Sequence, residues 1–189
     1  MKPFLITTLL VLSLCSCAIA QNSDMTKMLD YSRPGAEHAL LGQLSGTWSF
    51  QDAKLAFVKG TLVRKAIFNS RFYSVEMTGG KLQVPIAGGQ MKEENYQSLQ
   101  MEGFDNVRHK FFATFINNHI GSDIEFQSGT YDAVKKQWTY EWESELLPGQ
   151  KTQNRRIVTI TDSNHYIEEY FELQDGKAVK VRELDYTRI

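Results

Sequence analysis

Past Cys17 the chain of 189 residues contains no cysteine. Disulfides, thiolate metal ligands and cysteine nucleophiles are therefore excluded from residue 18 onward. Proline is also sparse, four residues against 13 glycines, a balance that favours short strands and tight turns. Neither sign of charge dominates: 21 basic residues face 22 acidic ones, so no electrostatic footprint for nucleic acid appears. The longest apolar run, Phe4 to Cys15, is too short for a spanning helix, which needs about 20 residues. No P-loop, G-x-G-x-x-G or G-x-S-x-G occurs. The four histidines, His38, His109, His119 and His165, include no pair at i, i+2 or i, i+4, and H-E-x-x-H is absent, so no metal site is expected. What is present, 42% hydrophobic and 23% charged residues, excludes a disordered or fibrous chain.

The first 20 residues read as a secretory leader. Lys2 supplies a positive charge, Phe4 to Cys15 the apolar region, and Ala18-Ile19-Ala20 an A-x-A cleavage site before Gln21. A second reading is open: Leu14-Cys15-Ser16-Cys17 resembles a bacterial lipobox, with Cys17 acylated. Both readings take the protein out of the cytoplasm, to the periplasm, the medium or a lipid tether. Residues 21–33 are polar with scattered methionine and read as a tether, closed by the breaker Ser32-Arg33-Pro34-Gly35.

One domain is expected over residues 34–189. Leu40, Leu41 and Leu44 share a helical face, which predicts a short helix from Ala36 to Leu44. Beyond Thr47 the helical period vanishes. Trp138, Tyr140 and Trp142 alternate with Thr139, Glu141 and Glu143, the pattern of a half-buried strand, and Glu141, Glu143 and Glu145 read as a solvated outer face. Turn signals recur from Gly79-Gly80 to Asp175-Gly176. Gly103-Phe104-Asp105-Asn106 is echoed by Gly129-Thr130-Tyr131-Asp132, each aspartate placed to bond its own backbone two residues on. Lys135-Lys136 and Arg155-Arg156 read as solubilising basic spots. Leu82 to Gly89 reads as an edge segment or a flap. Many short strands with regular turns predict an all-β sandwich or barrel.

Several motifs together carry a resemblance. Pro34-Gly35-Ala36-Glu37-His38 followed by Leu41, Leu44, Gly46, Thr47 and Trp48, then Arg71-Phe72, Gly103-Phe104-Asp105-Asn106 and Glu183-Leu184-Asp185-Tyr186-Thr187-Arg188, resemble the bacterial domain of unknown function 1579. Asn69-Ser70 and Asn117 depart from that family's pattern. The resemblance implies a calycin-like, lipocalin-related, up-and-down antiparallel β-barrel of about ten strands with one short N-terminal helix. It implies no reaction, so no catalytic residue is assigned. Gly46-Thr47-Trp48 is similar to the lipocalin G-x-W opening, which implies that Arg188 covers Trp48 at the closed end, a structural pair. Haem-binding barrels of the nitrobindin type carry further glycines after that tryptophan, which Ser49-Phe50 lacks, and no cofactor is expected.

The last hairpin supplies the candidate ligand contacts. With Asp175-Gly176 as a two-residue turn, Glu169 faces Arg182, Ile167 faces Leu184 and His165 faces Tyr186. Keeping Glu168 and Glu183 in water sends Glu169, Arg182, His165 and Tyr186 inward. These four and His119, near a strand end, are the expected ligand-binding residues. The functional expectation is a binding module for a small apolar or amphipathic molecule, touching membrane only through its leader or lipid anchor. Two alternatives stand beside it: an enzyme of unknown reaction with an interior His/Glu/Arg cluster, and a ligand-free structural envelope protein. The oligomeric state is not read from the sequence.

Overall fold

A computed structural model describes residues 23–189; the leader, with Cys15, Cys17 and the junction after Ala20, lies outside the described residues. The chain divides into two units between Arg33 and Pro34. In the first, residues 23–31 are helical (α1), where the polar composition reads as a tether. Ser32 closes this helix, its N–H and hydroxyl both donating to the carbonyl of Met28.

The second unit is a short helix and ten strands. Helix α2 spans Ala36–Gly42, with Gln43 and Leu44 forming a turn beyond it. The strands are β1 (Gly46–Asp52), β2 (Lys59–Ile67), β3 (Phe72–Ile86), β4 (Gln90–Asp105), β5 (Lys110–Asn117), β6 (Glu125–Asp132), β7 (Gln137–Leu147), β8 (Gln150–Ile160), β9 (His165–Gln174) and β10 (Lys177–Arg188). Each pairs antiparallel with its sequence neighbours, and β1 pairs with β10, which closes the barrel. Closure joins the ten strands in one ring, but β3 and β4 run on past their other neighbours: Leu82 to Ile86 pairs with β4 beyond the last β2 partner at Gly79, so it is the expected edge segment, and the turn Ala87–Gly89 links the two strands. Because α2 feeds directly into β1, the β2–β3, β4–β5, β6–β7 and β8–β9 connections lie at the helix end. The other five lie at the far end.

Local chemistry explains the turns. Asp105 Oδ1 accepts the N–H groups of Val107 and Arg108 at 2.8 and 3.0 Å, and Asp132 Oδ1 accepts those of Val134 and Lys135 at 2.9 and 3.1 Å. His109 and Lys136 then take the same left-handed conformation, each with φ of 52°. The repeat read in the sequence is thus a repeated turn. Asp175 and Gly176, both with positive φ, make the expected two-residue turn.

The period of two sends one face of each strand inward. Leu41, Leu44, Trp48, Leu62, Tyr73, Val75, Phe104, Phe111, Trp138, Tyr140, Val158, Tyr166, Leu184 and Tyr186 form a continuous buried cluster. Helix α2 contributes Leu41 and Leu44; each such fully buried side chain contributes about 1.5–3 kcal/mol. On the outer face Glu141 pairs with Arg155 and Glu143 with Lys151 at 2.7 Å.

The last hairpin departs from the expected register. Lys177 to Lys180 pair as expected, ending with Lys180 opposite Phe171. A bulge between Lys180 and Arg182 then shifts the ladder by one, placing Leu184 opposite Glu168 and Tyr186 opposite Tyr166. The extra residue leaves β10 inward-facing at Leu184 and Tyr186 but reverses β9. Tyr166 and Glu168 are therefore buried, while Glu169 faces Glu183 outside. Lys180 relieves that like-charge pair, its Nζ lying 2.5 Å from Glu169 and 2.6 Å from Glu183.

Candidate functional site

The middle of the barrel is polar. Four charged side chains enter it from separate strands: Arg64 from β2, Glu102 from β4, Arg156 from β8 and Glu168 from β9, all 1–2% exposed. Their positions follow from strand parity, since each lies two residues from a buried apolar neighbour: Leu62, Phe104, Val158 and Tyr166. Arg156 is thus no solubilising spot; only its neighbour Arg155 points outward.

Glu102 joins the two guanidinium groups. Arg64 Nη2 donates to Glu102 Oε1 at 3.1 Å, with Arg64 Nε 3.0 Å from Oε2. Arg156 Nη2 stands 3.7 Å from the same Oε1. Arg156 Nη1 donates to Gln100 at 3.0 Å and lies 3.8 Å from Glu168. Glu168 Oε2 accepts the hydroxyl of Tyr170 at 2.7 Å and that of Tyr186 at 3.4 Å. Arg156 also lies over the ring of Tyr140, 4.7 Å from its centroid.

Two positive and two negative groups balance one another. Burial works most strongly against the charge on Arg64, but Glu102, Tyr166 and Glu168 together hold its pKa above the ordinary arginine value. Burial likewise opposes the charge on Arg156, with Glu168 raising its pKa most. Burial pushes Tyr166, Tyr170 and Tyr186 well above the usual phenol range, so all three remain hydroxyl donors.

The network is incomplete in itself. Among the described residues, Arg156 Nε and Nη2, Tyr166 Oη, Gln127 Oε1, Trp138 Nε1 and Trp142 Nε1 are buried without a hydrogen-bond partner. A buried polar group left so costs about 1–3 kcal/mol, which a partner molecule would offset. Toward the far end, burial raises the pKa of Glu125 and of Tyr96, and Arg182 sits near that phenol.

The expected ligand contacts do not converge. Tyr186 lies in the interior, bonded to Glu168. Arg182 shares the inward parity of Leu184 but sits half-exposed at the far-end mouth, 3.8 Å from Asp52. His119 is half-buried in the β5–β6 connection, its N–H donating to Asn117. Glu169 is on the outer face with Lys180, so no Glu169–Arg182 pair forms. His165 is exposed at the helix end, its Nδ1 2.9 Å from Asp162. No histidine enters the charged quartet among the described residues. The sequence reading missed Arg64, Glu102, Arg156 and Glu168; a charged residue two positions from a large apolar one was the available signal.

At the helix end, Arg188 lies 4.1 Å over the indole of Trp48. Its guanidinium donates to the carbonyls of Ser45 at 2.6 Å, Gln43 at 3.1 Å and Ser163 at 3.0 Å. Gly46, with φ of 126°, leaves room for it: a Cβ there would stand 2.5 Å from Arg188 Nη1. Beside this pair opens a cleft of about 330 Å³ between the end of α2 and the β6–β7 and β8–β9 turns. Among the described residues no group of three His, Cys, Asp or Glu is placed to hold a metal.

Comparison with known proteins gives a family. The family model described as Protein of unknown function (DUF1579) matches residues 33–188. No curated protein matches the chain.

Proposed function

This chain belongs to the DUF1579 family, which brings a fold and no assigned reaction, and from that premise we propose that the barrel is a binding module for a small amphipathic molecule. The carrying observation is the set of buried, unpartnered polar atoms: Arg156 Nε and Nη2, Tyr166 Oη and Gln127 Oε1. The head group of the ligand hydrogen-bonds these atoms. The charge balance of the quartet favours a neutral or zwitterionic head, because a bare anion would meet Glu102 and Glu168 as well as the two arginines. The ligand enters by the far-end mouth, past Tyr96, Glu125 and Arg182. Apolar side chains exposed at that end, among them Phe57, Ile120 and Ile124 on the connections and Leu146 and Leu147 at the end of β7, cover its tail. The reading of residues 1–20 as a secretory or lipid-anchored leader supports a proposal that this binding takes place outside the cytoplasm.

Native mass spectrometry of the protein purified from its own host tests the reading. A retained non-covalent mass that is lost in Gln127→Leu, while unfolding stability holds or rises, supports it. A protein that carries no retained mass, or one whose bound mass is indifferent to Gln127→Leu and Arg156→Met, rejects it.

A further inference from the structure

We infer that the helix-end cleft is a second binding site, separate from the barrel interior, for a small carboxylate with a flat apolar body. The cleft's volume of about 330 Å³ falls at the small end of the range for ligand pockets, roughly 300–1,000 Å³. One side is apolar and aromatic: Leu44, Trp48, Tyr131 and Ile160 line it. Trp48 and Leu44 are almost fully buried, so this wall is held rigidly by the core.

The other side carries charge, with Lys136 and Asp162 in the lining. Lys136 lines the cleft, and no carboxylate engages its ammonium among the described residues. Its backbone is fixed twice: Asp132 anchors the turn before it, and the Lys136 carbonyl accepts the N–H of Ile160 at 3.1 Å. Arg188, over the Trp48 ring, is outside the lining, and its guanidinium is taken up by three backbone carbonyls. Asp162 is the one acid in the lining, and it is already engaged. Its Oδ1 accepts the N–H of Asn164 at 2.7 Å and its carboxylate holds His165 Nδ1 at 2.9 Å. That contact turns Nε2 of His165 away from Asp162. A site with one unpaired ammonium, one acid whose oxygens are already engaged and an aromatic wall offers a carboxylate an open charge contact and a flat apolar body a surface to lie on.

The geometry assigns Lys136 to the carboxylate and Trp48 with Tyr131 to the body. Neither role draws on Arg156, Tyr166 or Gln127, so this inference stands or falls apart from the interior reading.

The probes are benzoate and its uncharged counterpart benzamide, titrated into the ¹⁵N-labelled full chain and followed by amide chemical shifts. Benzoate is expected to give saturable shifts grouped at Leu44, Trp48, Ala133 and Ser163. Benzamide is expected to bind more weakly, by roughly three- to tenfold, the range for a partly exposed charge-assisted contact. Lys136→Met should weaken benzoate to the same degree and leave benzamide unchanged, its own spectrum confirming the fold. Equal binding of the two probes, insensitivity to Lys136→Met, shifts grouped instead in the interior, or no saturable shift would each overturn the inference.

Discussion

Arg188 covers Trp48 from the last residue but one of the chain, its guanidinium carbon 4.1 Å from the indole centroid and its nitrogens spent on three backbone carbonyls. The contact ties the end of β10 to the turn that follows α2 and to the β8–β9 connection. Arg188→Ala removes the stack and leaves those carbonyls without their donor. A loss of about 1–3 kcal/mol is expected, read by urea unfolding. Arg188→Lys should recover only part of it, because an ammonium cannot reach three carbonyls in the plane of one fork.

Glu168 and Glu169 are adjacent in sequence and opposite in environment. Glu168→Ala strips Arg156 and two tyrosines of a buried acceptor and should cost about 3–5 kcal/mol. Glu169→Ala breaks a surface contact with Lys180 and should cost less than about 1 kcal/mol. Denaturant midpoints of the two variants measure the register directly: a barrel without the bulge would reverse their order.

That bulge marks where the sequence stops being legible. Trp138, Tyr140 and Trp142 announce β7 by alternation, and Asp175-Gly176 announces its turn by chemistry. The one-residue shift after Lys180 has no such mark, since Lys180-Val181-Arg182 is an ordinary strand sequence. Reading β9 from the turn alone therefore put Glu169 inward and Glu168 outward. The interior quartet was hidden for a related reason. Arg156 follows Arg155, and a pair of arginines suggests solvent until strand parity separates them.

His38 supplies a pH dependence. Its Nδ1 accepts the N–H of Gly35 at 3.1 Å, and burial lowers its pKa below 6.5. A histidine with a depressed folded-state pKa contributes fully above the unfolded value and loses that contribution as pH falls through 6.5 toward the folded value. Thermal stability between about pH 7 and 5 should fall more steeply in the wild type than in His38→Gln.

The repeated turns act in a lower window. Hydrogen bonding by Arg108, side chain and backbone, lowers the pKa of Asp105, and the N–H of Lys135 does most to lower that of Asp132. Depressed carboxylates stabilise the fold above their unfolded pKa, and that stabilisation is lost as pH falls through the folded value. Asp132→Ala should melt below the wild type at pH 7, and the two melting temperatures should converge as pH falls below the ordinary aspartate range.

Closure by β1 and β10 sets the order in which the molecule can be assembled. Trp48 and Arg188, paired across that seam, are separated by nearly the whole barrel sequence. Hairpins between neighbouring strands can form as soon as both strands exist, but the seam waits for the final residues and must close a loop of the entire domain. Until it does, β1 and β10 each present an open row of amide groups, and the charged quartet, gathered from four strands, remains in contact with water. Losing the last few residues would thus do more than shorten a strand: it would leave the nascent barrel as a curled sheet with two sticky margins, prone to pair with another copy of itself.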